Sequence, residues 1–175
     1  MIRSDREIEL FITSNDKTHP EVSVNVLISN IQAVQNLMYI MGDHLEEHQA
    51  RTAGDFPRSV KENCELVISG LEMGSAAITM RILHDQYGLP GAGGTYGERA
   101  ISLVGTVIDI ASNQENILPE VIELLQSDEH RAIRSVQEVE SLWPDEGSAY
   151  DVALRFGSSG TIRLDRTRKS MIKNA

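Results

Sequence analysis

The chain is poor in the residues that usually announce a chemistry. Among 175 residues there is one cysteine, Cys64. A lone cysteine forms no intramolecular disulfide and excludes a zinc site built from several thiolates. No apolar run approaches the ~20 residues that span a bilayer. The N-terminal MIRSDREIELF contains no continuous apolar stretch that could act as a secretory signal. The expected location is therefore the cytoplasm. No internal repeat, low-complexity tract or G-x-x-x-x-G-K-[ST] phosphate loop is present.

Positive charge is scarce over most of the length. Residues 1–154 hold 10 Lys and Arg against 25 Asp and Glu, and residues 155–175 hold 6 against 1. The acidic body repels phosphate backbones and anionic membranes, so neither DNA, RNA nor a membrane is an expected partner. The basic end comprises Arg155, Arg163, Arg166, Arg168, Lys169 and Lys173. It reads as a solvated hairpin running into a charged tail. Its functional alternative is a contact for a small anion or an acidic partner.

What is present fits one globular domain. Hydrophobic residues make up 41% of the chain and charged residues 24%, and this length buries a sizeable core unaided. Ile8, Leu10 and Ile12 alternate and predict a half-buried strand. From Glu21 the period changes: Val24, Leu27, Ile31, Val34, Met38, Met41 and Leu45 recur at spacings of three and four, predicting a long helix to about Gln49. Two short alternating runs around Cys64–Ile68 and Ala76–Ile82 predict a hairpin. A second helix carries Ala100, Ile101, Val104, Val107, Ile108 and Ala111. A short helix is expected from Pro119, and another from Ser127 or Asp128 to just before Pro144. Tyr150–Phe156 and Thr161–Leu164 form a closing hairpin.

The order β-α-β-β-α-(α-α)-β-β predicts an α+β fold. It is an antiparallel sheet with helices packed on one face, a ferredoxin-like (split βαβ) frame with extra helices and a C-terminal hairpin. Residues 1–166 are expected to form the domain. Residues 167–175 read as a basic tail or the start of a linker to a further region.

Residues 43–48, DHLEEH, contain the only pattern that looks like catalytic machinery. H-x-x-E-H resembles the motif of the insulysin and pitrilysin type of zinc peptidase, in which two histidines one turn apart bind the metal and the glutamate is the general base. The resemblance covers five residues. It implies His44 and His48 as zinc ligands and Glu47 as base, with a third ligand from elsewhere, for which Glu115, Glu120 and Glu123 are candidates. On a helical wheel His48 falls roughly 60° from the centre of the apolar stripe, His44 roughly 100° and Glu47 roughly 160°. Glu47 would then face solvent, whereas a general base works in a sheltered cleft. The plainer reading is a polar helix end, with histidines complementing the negative terminus.

Gly91, Gly93, Gly94 and Gly97 form a glycine-rich loop ahead of a helix, where backbone N–H groups could hold an anion or nucleotide. Their spacing departs from G-x-G-x-x-G, and the first charged residue of the helix is Glu98. Cys64 reads as a buried structural thiol. His84-Asp85 could pair as base and orienter, but no nucleophile motif accompanies them. Ser69, Ser75 and Ser158 sit in turn contexts, and Trp143 reads as a core or cap contact.

The leading expectation is a non-enzymatic binding or assembly domain that forms a homodimer, contacts a protein partner and needs no cofactor. The long helix and a sheet edge at residues 161–165 carry it. A zinc-dependent hydrolase centred on residues 44–48 is the alternative. Anion or nucleotide sensing by residues 91–97 is the second alternative.

Overall fold

The computed structural model describes residues 7–15, 22–48, 64–72, 76–83, 95–145, 148–157, 160–169 and 172. Strand β1 (Glu7–Ser14) behaves as its alternation requires: Ile8, Leu10 and Ile12 are buried, Glu7, Glu9 and Phe11 half-buried and Thr13 exposed. It forms the centre of a five-stranded antiparallel sheet ordered β2-β3-β1-β4-β5, with β2 Leu66–Glu72, β3 Ala76–Ile82, β4 Tyr150–Phe156 and β5 Thr161–Leu164. Leu10 lies opposite Ile78 on one side and Leu154 on the other. Residues directly opposite share a face, so these rows make a continuous apolar floor.

Four helices accompany the sheet among the described residues. They are α1 (Val24–His48), α2 (Tyr96–Asn113), α3 (Ile117–Leu124) and α4 (Glu129–Leu142). At 25 residues α1 is roughly 37 Å long. Only part of its seam is buried. Val34, Leu37, Met38, Met41 and Leu45 are buried in the core, whereas Leu27 and Ile31 are partly covered and Val24 is exposed. The helix continues through Gly42, which is itself buried. Helix α1 packs on α4 and α2, and α2 reaches β4 and β5. Gly105 permits that approach: a Cβ there would lie 3.2 Å from the Phe156 ring.

The helix starts follow capping chemistry. Thr95 Oγ1 accepts the Glu98 N–H at 3.2 Å, a T-x-x-E start for α2. Asp128 accepts the Arg131 N–H and opens α4, which ends at Leu142, two residues before Pro144. Helix α3 begins at Ile117 rather than Pro119. Proline is tolerated throughout the first turn, so it marks the turn without fixing its first residue. Between α3 and α4 the chain reverses through Gln126 and Ser127, at φ 54° and 71°.

The opposite face of the sheet is polar. Arg155 hydrogen-bonds Glu9 across β4 and β1, and its guanidinium stands 5.4 Å from the Phe11 ring centre. No described helix is long and apolar enough to cross a membrane.

Candidate functional site

The motif at residues 43–48 lies at the end of α1, against the start of α4. Both oxygens of the Glu47 carboxylate are engaged by one guanidinium: Arg131 Nη2 donates to Oε1 at 2.8 Å and Nη1 to Oε2 at 2.7 Å. The same Arg131 Nη1 donates to Asp128 Oδ2 at 2.5 Å. The hydrogen bonding of Arg131 to Glu47 does most to hold Arg131 in its charged form, against a burial effect of opposite sign. Burial by itself would raise the Asp128 carboxyl, but hydrogen bonds from the Arg131 side chain and N–H outweigh it, and Asp128 titrates below its ordinary range. A carboxylate gripped in this bidentate way fastens the two helices together.

His44 is 3% exposed, deeper than its place on the wheel suggests. The reason is tertiary. Asn36 reaches Glu138 and Glu47 reaches Arg131, so α4 lies along the flank of α1 that carries His44. The His48 side chain is outside the described residues. Among the described residues no group of three His, Cys, Asp or Glu could hold a metal, and Glu115, Glu120 and Glu123 are all exposed.

Gly91, Gly93 and Gly94 are outside the described residues, as are His84-Asp85, Ser75, Ser158 and Lys173. Gly97 is buried in the first turn of α2, where the Glu98 N–H goes to Thr95 Oγ1 and the Arg99 N–H to Thr95 O. Cys64 is buried just ahead of β2. Trp143 is buried, and its backbone N–H donates to Glu140 O at the end of α4. Ser69 donates to Thr79 O.

The basic end is largely spent on the protein itself. Arg166 pairs with Asp151 and donates to Ser148 O, and Lys169 pairs with Asp145 at 2.7 Å. Arg168 donates to Ala111 O at 2.8 Å and to Gln114 O, satisfying carbonyls at the C-terminal end of α2. Ile172 is buried. Arg163 is exposed on β5.

A different feature stands out at the other edge of the sheet. Ser23 N–H donates to Tyr150 Oη, and Tyr150 lies opposite Ser14, so α1 starts at the Ser14 end of β1. The Gln35 side chain then grips the beginning of β2: Nε2 donates to Cys64 O at 2.9 Å and Oε1 accepts the Leu66 N–H at 2.8 Å. Leu66 is opposite Ile82, near the Glu7 end. Helix α1 therefore runs opposite in direction to β2 and reaches from Tyr150 of β4 at its start to the beginning of β2 at Gln35. Ile28 lies two turns before Gln35 on the same helical face, and Val24 one turn further, next to the Ser23 that meets Tyr150 of β4.

Four apolar side chains are 67% (Val24), 52% (Ile28), 55% (Ile68) and 57% (Leu71) exposed. Leu66, Ile68 and Leu71 point to the helix side, being opposite the buried Ile82, Met80 and Ile78. Strand β2 pairs with β3 alone among the described strands. Its residues LVISGLE include no Lys, Arg or Pro, the usual guards of an open edge. A bulge between Ile68 and Gly70 is its only protective irregularity. Edge β5 is shorter, with four residues, and has Arg163 exposed.

No family model, curated protein or solved structure matches the chain.

Proposed function

We propose that this chain is a non-enzymatic binding and assembly domain that associates with itself through the β2 edge. One observation carries the reading. Ile68 and Leu71 expose apolar surface on a seven-residue strand edge that holds no Lys, Arg or Pro. Scattered exposed apolar residues are ordinary, but two on one face of a strand that pairs on one side only among the described strands make a common form of interaction surface. The strand order β2-β3-β1-β4, with α1 leading from β1 to β2 and α2 following β3, supports a ferredoxin-like frame to which α3, α4 and β5 are additions.

The zinc-hydrolase reading would require Glu47 to leave Arg131 before it could act as a base. The anion-sensing reading depends chiefly on Gly91, Gly93 and Gly94, and the described start of α2 adds no independent support to it. Sedimentation velocity over a wide concentration range tests the assembly reading. A sedimentation coefficient that rises with concentration to that of a dimer is the expected result. A monomer at every concentration would overturn it.

A further inference from the structure

Which surface meets which can be taken further, on the assumption that the assembly reading holds. We infer that two copies join β2 to β2 antiparallel about a two-fold axis, in one particular register, making a continuous ten-stranded sheet with the two α1 helices flanking the seam. The backbone has the right phase. Leu83 N–H donates to Glu65 O at 2.8 Å. Hydrogen-bonding direction alternates along a strand, so the backbone groups of Leu66 and Ile68 face away from β3. Beyond the bulge, Gly70 and Glu72 lie opposite Thr79 and Ala77. These continue the alternation of β3, so Leu71 faces outward as well.

Two antiparallel registers overlap most of the strand while keeping helix-side residues opposite one another. The first sets Leu66 across from Leu71 of the second copy. It also sets Glu65 across from Glu72, placing like charges together at both ends of the seam. The second sets Ile68 across from Leu71 of the second copy, so that both exposed apolar residues are covered twice over. In that register Glu72 lies across from Val67, whose neighbour on β3 is Arg81. Both Glu72 and Arg81 are exposed. Two strand spacings separate their backbones by about 10 Å, a distance that extended Glu and Arg side chains can close. The two-fold makes this ion pair twice. Charge therefore selects the second register, and it selects a second copy of this chain as the occupant: its strand brings apolar residues for the seam and an arginine for each Glu72.

Glu72→Arg, Arg81→Glu, the double variant and Ile68→Lys, each checked for an unchanged fold by circular dichroism, are to be compared with the parent protein by sedimentation equilibrium. Each single charge reversal should weaken the dimer about tenfold, because both symmetry-related pairs become repulsive. The double variant should recover parental affinity, and Ile68→Lys should be monomeric. A dimer that survives Ile68→Lys overturns the β2 seam but leaves self-assembly standing. A dimer broken by Ile68→Lys but indifferent to both charge reversals overturns the register. A monomeric parent overturns this inference and the assembly reading together.

Discussion

Gln35 illustrates how one polar side chain can set the place of a strand. It sits mid-helix, yet its amide makes two hydrogen bonds to the backbone entering β2. Gln35→Ala leaves the Cys64 carbonyl and the Leu66 N–H without that partner. The variant should lose roughly 1–3 kcal/mol by urea denaturation. Gln35→Glu, which keeps the acceptor for Leu66 N–H and loses the donor, should fall between. Nothing in the local sequence distinguishes Gln35 from any solvated helix glutamine, because its role depends on a strand some thirty residues away. The same holds for His44. Its burial depends on where α4 lies, which periodicity within α1 does not encode. Arg131 adds a pH dependence. Asp128 has its folded carboxyl below the unfolded value of about 3.9. Its contribution is thus complete above that unfolded value and lost as pH falls through the lower folded one. Arg131 stays charged throughout this range. Arg131→Gln should cost about 1–2 kcal/mol at neutral pH, and the gap between variant and parent should narrow in acid, as read from thermal melts at a series of pH values. A gap that widens in acid would contradict the ion-pair account.

At the scale of elements, the periodic signals were readable where burial is complete. The alternation in β1 and β4, the stripe of α2, and the Asp128 start and Pro144 stop of α4 all state their environment locally. The N-terminal third of α1 did not. Val24, Leu27 and Ile31 continue the apolar seam, but the seam outruns the core, and Val24 and Ile28 meet solvent. A pattern of apolar residues reports a surface that can be covered, without saying whether the cover is in the same chain. The bulge in β2 was also hidden, since one extra residue in a short run is recognisable only against its partner strand. The α3–α4 reversal offers a clean test of backbone strain. Gln126 occupies the left-handed region at φ 54°, where a Cβ is costly, and it is exposed. Gln126→Gly should raise stability, by up to about 1 kcal/mol. A loss of stability on that change would mean that the Gln126 side chain contributes contacts outweighing the strain.

For the whole molecule, the sheet has one polar face, one helix-covered face and two unequal edges. The short β5 edge presents Arg163, and Arg166 to Lys169 are tied to the body beside it. The long β2 edge presents apolar residues and no cation. The long helix suggested that the chain works by binding, and residues 161–165 suggested one edge. Neither could show that the longer and more apolar edge is the other one, because edge status belongs to the sheet order and not to any strand by itself. The central claim is that this edge joins copies of the chain. Sedimentation velocity of the parent protein beside Ile68→Lys tests it most directly. A concentration-dependent dimer in the parent, lost in the variant, is the outcome this account predicts. A parent that sediments as a monomer at every concentration would contradict it.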